Sequence, residues 1–116
     1  MISGAHVILY SKNAEADRVF FRDVLAFKSV DAGHGWLIFS LPPAEMAFHP
    51  SDESNTSELY LMCSDLKAEM ASLAKKGVSC SVPQEARWGS VTTVRLPGGG
   101  QVGLYQPRHL TAFALE

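Results

Sequence analysis

At 116 residues and a formal net charge of −2, the chain suits one domain that buries about 65% of its unfolded surface, enough for a core without disulfide staples. Lysine and arginine are scattered rather than clustered, which leaves no electrostatic footprint for nucleic acid, and no apolar run approaches the roughly 18 residues of a membrane span. The two cysteines, Cys63 and Cys80, match no metal-ligand spacing and read as small apolar fillers in a reducing compartment. With no basic region and long apolar run at the N-terminus, the expectation is a soluble, cytoplasmic protein without nucleic-acid or membrane partners.

Residues 6–10 read as a strand, with Val7 and Leu9 on one face and His6, Ile8 and Tyr10 on the other. Asn13 is a good N-cap, and the spacing of Ala16, Val19, Phe20 and Val24 predicts an amphipathic helix over residues 14–25. Strands are expected at 27–30, 35–41 and 46–49, separated by the turn at 31–34 and the Pro42-Pro43 connection. Residues 51–57 are polar and unpatterned and serve as a linker.

The second half repeats the order. Residues 58–62 form a strand; Ser64 or Asp65 caps a helix carrying Leu66, Met70, Leu73 and Ala74; Gly77 stands where a helix C-terminus wants a positive φ. Strands are expected at 79–82, 90–96 and 101–105, with turns at 83–89 and 97–100. The fold class is therefore α+β, two tandem βαβββ modules spanning about residues 5–50 and 58–107, followed by a tail at 108–116. That tail, from Leu110 to Leu115, is apolar enough to pack across a dimer or to fray.

Comparing the repeats separates two sheet faces. Val7 and Leu9, Met46 and Phe48, Leu59 and Leu61, and Val102 and Leu104 are equivalent apolar pairs expected to face the helices. Alternation then places His6, Ile8 and Tyr10, Ala47 and His49, Glu58, Tyr60 and Met62, and Gln101, Gly103 and Tyr105 on the opposite face. A mixed polar and aromatic face with no helix to cover it is what a ligand cavity needs; the alternative is packing against the other module or a second subunit. Tyr10, His49, Tyr60, Met62 and Tyr105 are accordingly candidate ligand contacts. Trp88 joins them as an aromatic wall, whereas Trp36 reads as core and His34, Arg95 and His109 as solvated.

The run FFRDVLAF at residues 20–27, after a strand opening with His6, resembles the helix of the vicinal oxygen chelate superfamily, which includes glyoxalase I, bleomycin-resistance proteins and extradiol dioxygenases. Trp88-Gly89, the turn at 97–100 and the terminal QVGLY at 101–105 resemble the second module of that family. The resemblance implies sheets curving as one mixed sheet around a cavity, usually in a homodimer. It also implies metal ligands at four positions, here His6, Ala47, Glu58 and Gly103, of which only His6 and Glu58 have a donor. A divalent ion held by imidazole and carboxylate needs three or more protein ligands, and His49 lies two residues, about 6.7 Å, along its strand from the required place.

The first expectation is therefore a small-molecule-binding protein whose metal site is incomplete or absent. In it, His6 and Glu58 either form a catalytic acid–base pair or merely satisfy one another. The alternative is a metal-dependent lyase, isomerase or dioxygenase, in which His6 and Glu58 bind a divalent ion with non-standard further ligands.

Overall fold

The structure, a computed structural model, describes residues 6–112. Ala5, taken above as the start of the first module, and Phe113 to Leu115 of the apolar tail lie outside the described residues. The elements are helix α1 (Ala14–Val19), strands β1 (Ser29–Asp31), β2 (Leu37–Phe39) and β3 (Tyr60–Met62), helix α2 (Leu66–Lys75), and strands β4 (Gln84–Ala86), β5 (Gly89–Arg95) and β6 (Gln101–Pro107). The fold is α+β.

The second half builds a four-stranded sheet in the order β3-β6-β5-β4. Strand β3 lies parallel to β6, with Tyr60 beside Gly103 and Met62 beside Tyr105; β5 is antiparallel to both β6 and β4. Helix α2 covers one face. Its N-cap is Asp65, whose carboxylate accepts the Ala68 N–H at 3.1 Å, and it ends at Gly77, whose φ of +79° a side chain would strain.

Alternation decides which side chains meet the helices. Val102 and Leu104 of β6 and Val94 of β5 are buried with Leu66 and Leu73 of α2, and Leu59 and Leu61 pack on them half-buried. Each such side chain contributes roughly 1.5–3 kcal/mol through burial. Thr92 is buried among them but not orphaned: its hydroxyl reaches the Ser81 carbonyl at 2.6 Å.

Helix α1 joins this same core. Phe20 is buried beside Leu66 and Leu96, Asp17 accepts the Gly98 N–H at 2.8 Å, and the Lys76 ammonium donates to the Val24 carbonyl at 2.8 Å. The expected regular helix over 14–25 gives way after Val19 to a π-helical turn, Phe20–Val24. The chain then closes with Ala26 at φ +60° and a bond from the Phe27 N–H to the Phe21 carbonyl at 3.0 Å. The Phe21 and Phe27 rings meet edge-on at 5.5 Å, so the π-helical turn is closed by a left-handed alanine where glycine is preferred.

The first half departs most from expectation. Only β1 and β2 pair, Val30 opposite Ile38. Residues 6–10 and 46–49, expected as strands, join neither sheet. Five residues cannot hold a strand without a ladder, and Pro42, Pro43 and Pro50 remove donors around the second segment. Val7, Leu9, Met46 and Phe48 consequently do not face the helices but stand exposed, Phe48 at 88%. Two smaller corrections concern the second half. Residues 79–82 contribute one bridge, Cys80 to Val94, rather than a strand, and the expected turn at 83–89 contains β4, because Arg87-Trp88 alone suffices to reverse the chain into β5.

The ending of α1 yields a stability prediction. Replacing Ala26 by glycine removes the cost of a left-handed alanine, about 1–2 kcal/mol, less the extra entropy glycine loses on folding. Urea denaturation of Ala26→Gly is expected to show a gain of roughly 0.5–1 kcal/mol; a loss of stability contradicts the reading.

Candidate functional site

The face of the second sheet opposite α2 carries Tyr60 and Met62 from β3, Gly103 and Tyr105 from β6, and Val91 and Thr93 from β5, because directly paired residues share a face. A cleft of about 290 Å³ lies there, lined by Glu58, Leu59, Tyr60, Thr93, Gln101 and Gly103. A depression of the same volume lies on the β1/β2 ribbon, lined by Lys28, Ser29, Val30, Ile38, Phe39 and Ser40. It holds no carboxylate, imidazole or phenol, so the first cleft is the chemical candidate.

Tyr60 organises that cleft. Its ring lies directly on the backbone of Gly103: a Cβ at that position would fall under 3.0 Å from three atoms of the ring. Its hydroxyl donates to a Glu58 carboxylate oxygen at 2.6 Å. The hydrogen bond to Glu58 is the main cause that raises the Tyr60 phenol above its ordinary value of 10.0, with burial and the Glu58 charge adding to it.

From Tyr60 an aromatic wall continues along the sheet. Tyr60 and Tyr105 meet edge-on at 5.8 Å, and Tyr105 and Trp88 edge-on at 5.6 Å, arrangements that aromatic quadrupoles favour. Trp88 occupies the β4–β5 turn, and its carbonyl accepts the Arg108 N–H at 2.8 Å. Behind that turn, the Ser90 hydroxyl donates to the Glu85 carboxylate and Arg108 pairs with it at 2.5 Å, and these bonds, the first above all, hold the Glu85 carboxyl below its ordinary range.

Of the candidate residues, Tyr60, Trp88 and Tyr105 stand together, and Met62 is half-buried beside Tyr105 in the ladder. Glu58 is present, with Tyr60 as its hydrogen-bond partner. His6 and Tyr10 lie in the unpaired first segment, both exposed, Tyr10 at 94%. His49 is also exposed, its Nδ1 at 2.8 Å from the Pro50 carbonyl.

Trp36, expected in the core, is 61% exposed with the Arg18 guanidinium 4.4 Å from its ring centre. His109 is exposed, as expected, and its Nε2 also lies 3.3 Å from the Tyr105 hydroxyl. The Glu45 carboxylate accepts the same hydroxyl at 3.4 Å. Thr93 could have been found from the register of β5 against Gly103; Glu45 and His109 depend on chain crossings that no local pattern signals. Both cysteines are free and half-buried, and burial pushes their thiols up, in keeping with inert fillers.

The donor set does not fit a resident metal. Ala47 and Gly103 supply no ligand atom, the Tyr60 ring covers Gly103, and the Glu58 carboxylate is engaged by a phenol. Among the described residues no group of three or more His, Cys, Asp or Glu side chains is gathered to hold an ion. Nor, among those residues, is any helix long and apolar enough to cross a membrane.

No family model matches the chain, and no curated protein matches it. Solved structures do. An antibiotic binding protein, TnmS3, from Streptomyces sp. CB03234 superposes with a TM-score of 0.63 at 24% identity, over 92% of this chain and 99% of that one. A lactoylglutathione lyase from Agrobacterium tumefaciens gives 0.61 at 16% identity, over 89% and 92%. A member of the glyoxalase/bleomycin resistance protein/dioxygenase superfamily from Sphaerobacter thermophilus DSM 20745 gives 0.59 at 21%, over 90% and 97%. The chain therefore has the vicinal oxygen chelate fold. At these identities the likeness is one of fold, and the chemistry must be argued from the residues.

The Tyr60 phenol offers a direct check on the site. Because its folded value is raised, the stability it contributes is complete below the ordinary phenol value, about 10, and is lost as pH rises through the folded value. Ultraviolet titration should show a phenol ionising above pH 10 that moves down in Glu58→Gln. An unchanged curve in that variant contradicts the geometry.

Proposed function

We propose that the chain binds a small aromatic molecule in this cleft, stacks it against Tyr60 and the wall formed with Tyr105 and Trp88, and does so without a metal ion. The observation that carries this reading is the bond from Tyr60 to Glu58, with the ring seated on Gly103. It turns two positions that the fold family gives to metal ligands into a hydrogen-bonded aromatic wall. The exposed Glu58 carboxylate at the edge of that wall favours a ligand carrying a positive charge, through Coulombic attraction and cation–π contact of the same ligand with the rings. Structural likeness to an antibiotic binding protein is in keeping with sequestration rather than turnover. The proposed setting is the cytoplasm, in keeping with two free thiols.

The competing reading is a metal-dependent lyase, isomerase or dioxygenase that uses His6 and Glu58. Calorimetry with a planar aromatic cation such as 9-aminoacridine separates the two. Chelator-treated protein is expected to bind the probe, and Tyr60→Ala to weaken binding about tenfold, or about 1.4 kcal/mol. Binding that requires added Mn²⁺ or Zn²⁺, and is lost in both His6→Ala and Glu58→Ala, contradicts the proposal and supports the metal-dependent alternative.

The proposal includes a homodimer. The accessible surface of the chain is 9314 Å², against about 6,200 Å² for a folded monomer of its mass. Its radius of gyration is 15.1 Å, where about 13.4 Å is usual for this length. The excess, about 3,100 Å², is more than the roughly 1,000–2,500 Å² that each partner of an obligate dimer gives up, and the exposed apolar side chains include Ile8, Met46 and Phe48. Sedimentation at micromolar concentration is expected to find a dimer that Phe48→Glu weakens; a monomer in the unmodified protein contradicts it.

A further inference from the structure

Beyond the cleft itself, the geometry points to Glu45 as a positioning residue that latches residues 109–112 across the Tyr105 end of the aromatic wall as a releasable strap. This inference rests on reading the aromatic wall as a binding surface.

The root of the strap is fixed. Arg108 donates its backbone N–H to the Trp88 carbonyl and its guanidinium to the Ala86 carbonyl at 2.7 Å, to Glu85 at 2.5 Å and to the Ser90 hydroxyl at 2.8 Å. The outer part is held differently. One Glu45 carboxylate oxygen accepts the Ala112 N–H at 2.7 Å, and the other accepts the Tyr105 hydroxyl at 3.4 Å and lies 3.8 Å from His109 Nε2. The His109 ring in turn lies 6.1 Å from that of Tyr105.

Glu45 thus draws together a tail residue 67 positions away and a wall residue 60 positions away. Its side chain is only 18% exposed, although the residues on either side of it are open to solvent. Among the described residues of the strap, 109–112, the attachment is polar rather than packed, because Leu110 is 87% exposed. A segment held by a few charge-assisted hydrogen bonds with no apolar anchor opens at low cost. Release of Glu45 frees the Tyr105 phenol, uncovers the ring beneath His109 and widens access to Trp88.

The test needs no ligand, so its outcome is independent of whether the cleft binds the aromatic cation. In a Trp36→Phe background Trp88 is the only tryptophan, since the chain has two, and acrylamide quenching reads access to the wall. Glu45→Ala is expected to raise the quenching constant about twofold. It should also move the Tyr105 phenol down toward its ordinary value of 10.0, because Glu45 helps to raise it, second to burial. Glu45→Gln keeps an acceptor oxygen and is expected to give a smaller rise. An unchanged quenching constant in Glu45→Ala, with native circular dichroism, overturns the latch. Should that variant not fold, amide exchange in the unmodified protein decides: Ala112 is expected to be protected at least tenfold, and exchange at the unprotected rate overturns it.

Discussion

The seat of the Tyr60 ring on Gly103 is the contact on which the rest of the site depends. Neighbouring strands run about 4.8 Å apart, so a ring can lie flat across the ladder only where the next strand offers no side chain. Parallel pairing of β3 with β6 puts Gly103 at that place. From there the hydroxyl reaches Glu58 and the ring edge reaches Tyr105, which passes the contact to Trp88. A missing side chain on one strand thus orders three aromatic residues and one carboxylate.

The same contact bears on the positions at which the sequence resemblance implies metal ligands, on the first and last strand expected of each module: His6, Ala47, Glu58 and Gly103. Ala47 and Gly103 lack a donor, Gly103 lies under a tyrosine ring, the Glu58 carboxylate already holds a phenol, and His6 stands exposed in the unpaired first segment. The shared fold does not by itself carry a chemistry with it.

Much of the second half was legible in the sequence because its signals are local. Asp65 caps α2, Gly77 ends it, and period-two alternation assigns Val102 and Leu104 to the core and Tyr60, Gly103 and Tyr105 to the opposite face. The first half was less legible because a strand needs a partner as well as a pattern. Residues 6–10 and 46–49 alternate well, yet neither finds a ladder within the described chain. Ala26 shows the opposite case: a local signal against the structure, overridden by the Phe21 and Phe27 contact and the closing hydrogen bond. Glu45 and His109 were invisible for a third reason. They are polar residues in unpatterned segments, and only the crossing of the tail over Tyr105 brings them together.

If Tyr60 owes its place to the bare backbone of Gly103, a single methyl group is enough to displace it. The most direct measurement is the affinity of chelator-treated Gly103→Ala for 9-aminoacridine, taken with its near-ultraviolet circular dichroism. The account predicts retained secondary structure, an altered tyrosine signal and binding weakened at least tenfold, about 1.4 kcal/mol. Affinity and tyrosine signal equal to those of the unmodified protein would contradict it.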